Sequence, residues 1–161
     1  MNTPQSIAEL YRSHGHIVLR RARTLLGTEH DAQEVLQEIF ASLLRAPNTL
    51  RSAGAAVGWL YQATTHFCLN ELRNRRTGAR LLEARAAAAL PELASGSAET
   101  LAEVRSLLAQ LPADVAAAVV YFHLDGMTHA EVAELLGCSK RQVGYLLERA
   151  RQSLERAEQM L

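Results

Sequence analysis

The chain has 161 residues, 48% of them hydrophobic and 5% aromatic, so one ordinary domain or two very small ones can bury a core and wholesale disorder is excluded. Lysine plus arginine equals aspartate plus glutamate at 17 each, so net charge points to no class of partner. The distribution is uneven: residues 1–90 carry eleven arginines against seven acids and residues 99–161 carry six basic against nine acidic residues, which suggests two units in different surroundings.

Ile7, Leu10, Tyr11, His14, Val18, Ala22 and Leu25 recur at steps of three and four, the spacing of an amphipathic helix, and Gly27 closes it. Thr28 opens the next helix, with Asp31 three residues later as a loose capping box. Ala32, Val35, Leu36, Ile39, Phe40, Leu43 and Leu44 form its apolar stripe, and Ala46-Pro47-Asn48 stops it. A loop to about Gly54 leads to a third helix carrying Val57, Leu60, Tyr61, Thr64, Phe67, Cys68 and Leu72. That helix ends in Arg73-Asn74-Arg75-Arg76, with Gly78 and Arg80 beyond it.

Residues 77–98 change character. Ala86 to Ala89 run together, and Pro91, Ser95, Gly96 and Ser97 interrupt them, a linker composition. Leu101, Val104, Leu107, Leu108 and Leu111 then mark a helix ended by Pro112. Val115, Ala118, Val119 and Phe122 mark another, ended by Asp125-Gly126, and two more helices follow, the last one long. No alternating apolar pattern of strand length occurs, so the expected fold is all-α, with two small helical domains at 1–76 and 99–161 joined by 77–98.

The sharpest local signal lies at 128–151. Thr128 is followed by Glu131, and Ser139 by Gln142, so two capping boxes bracket a helix of about two turns. Gly137 between them supplies a tight turn, Ala133 leaves room for a close crossing, and Val143 and Leu146 turn inward. This is the pattern of a DNA-binding helix-turn-helix, whose second helix enters the major groove. Its outward face would be Lys140, Arg141, Gly144, Tyr145, Glu148, Arg149 and Gln152, beginning at Ser139.

Other chemistries find little support. Cys68 and Cys138 lack metal or disulfide spacing and read as buried thiols, and the six histidines form no metal signature. No nucleophile with its base and no glycine-rich phosphate loop occurs, so neither an enzyme nor a cofactor is expected. The N-terminus lacks a charged patch followed by an apolar run, and the longest apolar run, Val115 to Phe122, spans 8 residues against the ~20 of a membrane helix. A cytoplasmic protein without membrane insertion is the expectation.

Several motifs together are similar to those of the sigma-70 family. Leu111-Pro112, then Leu124-Asp125-Gly126-Met127-Thr128 and Glu131-Val132-Ala133, resemble sigma region 4, and Val143, Arg149-Ala150-Arg151 and Leu154 resemble its end. Asp31 to Phe40 resembles region 2.2, and Trp59-Leu60-Tyr61 through Asn70-Glu71-Leu72-Arg73 resembles regions 2.3 and 2.4. The resemblance covers about residues 5–76 and 99–156, in the family's order, and is nearest the two-domain extracytoplasmic-function group.

The resemblance implies a sigma factor that binds core RNA polymerase at the β′ clamp helices and the β flap, recognises the −35 and −10 elements of promoter DNA and helps open the duplex. It also implies an anti-sigma partner. Polymerase binding would fall to Asp31, Glu34, Gln37 and Glu38. The −10 region would be met by Arg51 and Ser52 in the loop, and by Trp59, Tyr61, His66, Asn70, Arg73, Arg75 and Arg76. Leu50 stands where the family often has an aromatic residue. The −35 region would be met by Ser139, Lys140, Arg141, Gly144, Tyr145, Glu148 and Arg149. Ala116, Phe122 and Leu146 stand where arginine is common, and Gly144, Tyr145 and Glu148 also depart from the family, so weak or unusual −35 reading is expected. Two other readings use the same residues: a stand-alone helix-turn-helix regulator, and a degenerate sigma-like interaction module that reads no promoter.

Overall fold

The computed structural model describes residues 4–46, 49–50, 53–82 and 96–160. Among them every regular element is helical: α1 (Pro4–Leu26), α2 (Glu29–Arg45), α3 (Ala53–Leu82), α4 (Gly96–Gln110), α5 (Ala113–Val119) with a π-helical turn at Val120–Leu124, α6 (His129–Leu136) and α7 (Lys140–Gln159). The fold is all-α. The chain divides into two compact units, residues 1–68 and 69–161. The helices reach into the stretch 77–98 from both ends, to Leu82 and from Gly96, and the residues between lie outside the described ones.

In the first unit α1 and α2 pack against each other. Gly27 takes φ 93, a left-handed conformation that glycine adopts without a Cβ penalty, and its N–H reaches Arg23 O at 2.8 Å. Arg23 and Glu29 form an ion pair across this turn. Val18, Ala22 and Leu25 meet Ala32, Val35, Leu36, Ile39, Phe40 and Leu43 in the core, as the three-and-four spacing requires. Leu44, placed in the same stripe by its spacing, is 55% exposed, because it falls one step past the buried arc at the open end of α2.

In the second unit α5 and α6 each pack on α7. Leu108, Leu111, Val115, Ala116 to Ala118, Val132, Val143 and Leu146 are buried. The expected inward residue Phe122 is only half-buried, and Tyr121 takes the core at 0% exposure. The buried residues Ala117, Val120 and Tyr121 follow ordinary three-and-four steps along the helix, and the π turn closes after them, with Asp125 N–H bonding Val120 O at 3.1 Å, five residues back.

Candidate polymerase and nucleic-acid surfaces

The polymerase-facing candidates sit on α2. Thr28 caps this helix by accepting from Asp31 N–H at 3.2 Å, and its hydroxyl donates to Asp31 Oδ2 at 2.7 Å. Asp31 is half-buried and engaged at the helix start, where a carboxylate also complements the helix dipole. Glu34, Gln37 and Glu38 are exposed and line one shallow depression of about 500 Å³ together with Ala41 and Phe67. Glu34 lies 3.2 Å from His30, and Glu38 pairs with Arg45 at 2.6 Å. The structure thus brings three of the four candidates together, keeps Asp31 at the cap, and adds Phe67, which the apolar spacing assigned to the core.

The −10 candidates scatter. Arg51 and Ser52 lie outside the described residues. Leu50, just before them, is 9% exposed and therefore packs inward. On α3, Trp59 is half-buried and His66 exposed, seven residues apart and so on one side of the helix. Tyr61 is elsewhere on α3: its ring lies beneath the Arg21 guanidinium, 3.8 Å from the ring centroid. Arg21 also donates from Nε to Thr65 Oγ1 at 2.6 Å, and Thr65 Oγ1 donates to Tyr61 O at 2.9 Å. Arg21 was not among the sequence candidates, because its partner is forty residues away.

In the second unit Asn70 is exposed, Arg73 and Arg76 are half-buried, and Arg75 lies 3.5 Å from Glu71. The Arg73 Nε is buried without a hydrogen-bond partner among the described residues. The side chain of Arg80, the other member of this basic cluster, is not among those described.

The helix-turn-helix is built as its local signals require. Thr128 accepts from Glu131 N–H at 3.2 Å while Glu131 Oε2 accepts from Thr128 N–H at 2.8 Å, a complete capping box. Gly137 closes α6 at φ 67, which lets its own N–H and that of Cys138 reach Ala133 O. Ser139 then caps α7, accepting from Gln142 N–H at 3.1 Å. Ala133, Val143 and Leu146 are buried between the helices.

The outward face of α7 therefore points away from the core. Ser139, Lys140, Arg141, Glu148 and Arg149 are exposed, and Tyr145 is 57% exposed. The Arg149 guanidinium stands 6.0 Å from the Tyr145 ring centroid. A Cβ added at Gly144 would meet nothing within 4 Å, so internal packing does not require glycine there. Arg151 donates from Nε to Glu148 Oε2 at 3.0 Å and also pairs with Glu155. The Arg151 hydrogen bond holds the Glu148 carboxyl below the usual glutamate range. Ala116 is 0% exposed, so the alanine there serves packing. Leu146 is likewise turned into the core.

No helix among the described residues is long and apolar enough to cross a membrane.

The comparisons with known proteins agree with this layout. The description "Sigma-70 region 2" matches residues 10–77, and "Sigma-70, region 4" matches residues 101–154. The ECF RNA polymerase sigma factor SigE of Mycolicibacterium smegmatis is 31% identical over 154 residues, covering 91% of this chain and 59% of the relative. The ECF RNA polymerase sigma factor SigM of Mycobacterium tuberculosis is 29% identical over 153 residues, covering 92% of this chain and 74% of the relative. Two solved structures share the fold. One is the sigma factor RpoE in complex with the anti-sigma factor NepR from Bartonella quintana, with TM-score 0.54, 15% identity, and coverage of 94% of this chain and 96% of that one. The other is CnrH in complex with the cytosolic domain of CnrY, with TM-score 0.53, 23% identity, and coverage of 98% and 90%. With region 2 and region 4 matched in order across more than half of its residues, the chain belongs to the sigma-70 family, and the relatives named above carry the ECF designation.

Proposed function

We propose that this chain is a dissociable sigma factor that binds core RNA polymerase, directs it to promoters and helps open the DNA, acting in the cytoplasm under the control of an anti-sigma partner. The catalysis of RNA synthesis belongs to the polymerase, and this chain acts as a binding factor without a cofactor. The observation that carries the reading is the ordered pairing, on one chain, of a region 2 match with a region 4 match whose second helix keeps Lys140, Arg141, Tyr145, Glu148 and Arg149 exposed. The domain assignment follows: 1–76 for polymerase and −10 binding, 99–161 for −35 binding, and 77–98 between them.

The residue roles belong to the same proposal. Glu34, Gln37 and Glu38 offer a polar, acid-rich surface around Phe67, suited to a basic helical partner such as the β′ clamp helices, with Asp31 supporting the start of α2. The β flap would be met by residues 99–161. Trp59, Tyr61, His66, Asn70, Arg73, Arg75 and Arg76, with Arg51 and Ser52, would serve the −10 region, the arginines through phosphates. In this scheme Tyr61 acts from beneath Arg21, so Arg21 presents the charge and Tyr61 orients it. The experiment is transcription in vitro with purified chain and core polymerase. Starts that depend on the chain support the reading, and none on any host promoter overturns it.

A further inference from the structure

The outward face of α7 carries one acid among its bases, and the structure does not leave that acid loose. Glu148 is held by Arg151, whose Nε donates to Glu148 Oε2 at 3.0 Å while the same guanidinium engages Glu155. An exposed ion pair of this kind contributes little to stability, so its position matters more than its strength. Glu148 lies four residues after Gly144 and three after Tyr145, on the face that begins with Arg141. Gly144 leaves the middle of that face without a side chain and has open space around it. A duplex seated against such a gap comes close enough for a neighbouring carboxylate to reach a base edge.

We propose that Glu148 is a specificity residue of the −35 reading surface, accepting a hydrogen bond from the exocyclic amino group of a cytosine in the major groove, with Arg151 as its positioning residue. The inference rests on the DNA-reading function proposed above. A carboxylate only accepts hydrogen bonds, so it discriminates by what lies opposite. Guanine presents two acceptors, N7 and O6, and thymine presents O4, and all of these repel it. Adenine offers its N6 amino group beside the N7 acceptor, so attraction and repulsion compete, whereas the cytosine N4 amino group has no acceptor beside it on that edge. Each carboxylate oxygen keeps a further acceptor site after the Arg151 bonds. Arg151 offsets the charge that would otherwise repel the nearby phosphates.

The test is transcription in vitro by the full chain with core polymerase on a promoter library randomised across the −35 element, with the starting templates sequenced. For the wild type, one column of the motif should favour cytosine about tenfold, within the usual range for a single good base contact. Glu148→Ala should flatten that column and leave the others in place. Glu148→Gln should shift it towards adenine, because an amide matches the paired N6 donor and N7 acceptor. Arg151→Ala should weaken the cytosine preference without changing its identity. A motif that Glu148→Ala and Glu148→Gln both leave intact, column for column, overturns this inference alone. A wild type that starts on no member of the library overturns the sigma-factor reading itself, and this inference with it.

Discussion

The Arg21 guanidinium lies over the Tyr61 ring at 3.8 Å from its centroid and ties α1 to α3 within the first unit. The same guanidinium meets the buried Thr65 hydroxyl, so one side chain contributes a cation–π contact and a hydrogen bond. A partly desolvated contact of this type is worth about 1–2 kcal/mol. Arg21→Ala should therefore lower the melting temperature by roughly 4–8 °C per kcal/mol lost. Arg21→Lys should recover less than half of that, since an ammonium lacks the planar fork that stacks and donates together. A melting curve of Arg21→Ala that superimposes on the wild type contradicts the contact.

Replacing Gln37 with Ala and Glu38 with Lys should weaken binding to core polymerase by at least tenfold while leaving the circular dichroism spectrum unchanged. Both side chains are exposed, and the Glu38–Arg45 pair that is lost joins two side chains in solvent. Phe67→Ala in the same depression should also weaken binding. Unaltered affinity of the double variant would remove this surface from the polymerase interface.

At Gly144 folding and DNA reading are expected to part. An alanine there meets no neighbour, and replacing a mid-helix glycine gains about 0.5–1 kcal/mol. Gly144→Ala should therefore melt higher and yet transcribe less from its own promoter, because the added methyl holds the duplex away. A variant that is more stable and equally active would show that the gap has no role at the DNA. Gly137 gives the contrast: at φ 67 an alanine is strained, and Gly137→Ala should lose about 1–2 kcal/mol.

The Glu148 carboxyl titrates below its ordinary value of 4.5 because Arg151 hydrogen-bonds its charged form. A lowered folded-state pKa stabilises the fold above the unfolded value, and that contribution is lost as pH falls through the lowered one. Both groups are exposed, so the effect on global stability is small, and the direct observable is the titration itself. Followed by NMR, the Glu148 midpoint should move back up in Arg151→Ala. A midpoint that stays in place contradicts the pairing.

What was legible in the sequence was chiefly local. Thr128 with Glu131, Gly137, and Ser139 with Gln142 act within a few residues: the first pair forms a complete capping box, Gly137 takes the left-handed turn, and of the second expected box the half in which Ser139 accepts from Gln142 N–H is formed. The apolar steps of α1 and α2 located Ile7, Val18, Ala22, Leu25 and the six buried residues of α2 for the same reason, but they also took in Tyr11 and Leu44, which are exposed. Tyr121 was missed because Val115 to Phe122 is apolar throughout, so its spacing does not single out the inward face, and of the steps chosen, Val115, Ala118, Val119 and Phe122, the last two ran one residue off the buried arc. The cover that Arg21 places over Tyr61 was missed because no local pattern connects residues forty apart. Asp31 shows two signals in competition: family position put it with Glu34, Gln37 and Glu38, whereas its spacing from Thr28 marked a cap, and its hydrogen bonds are those of the cap.

The central claim is that this chain confers promoter-dependent initiation on core RNA polymerase. The most direct measurement is a transcription reaction with purified full chain and core enzyme on fragmented host DNA, with start sites mapped. The account predicts discrete starts that appear only when the chain is added, share −35 and −10 elements, and fall sharply with the Gln37→Ala, Glu38→Lys double variant. Starts identical with and without the chain, while it binds duplex DNA alone, would contradict the account and favour a stand-alone regulator.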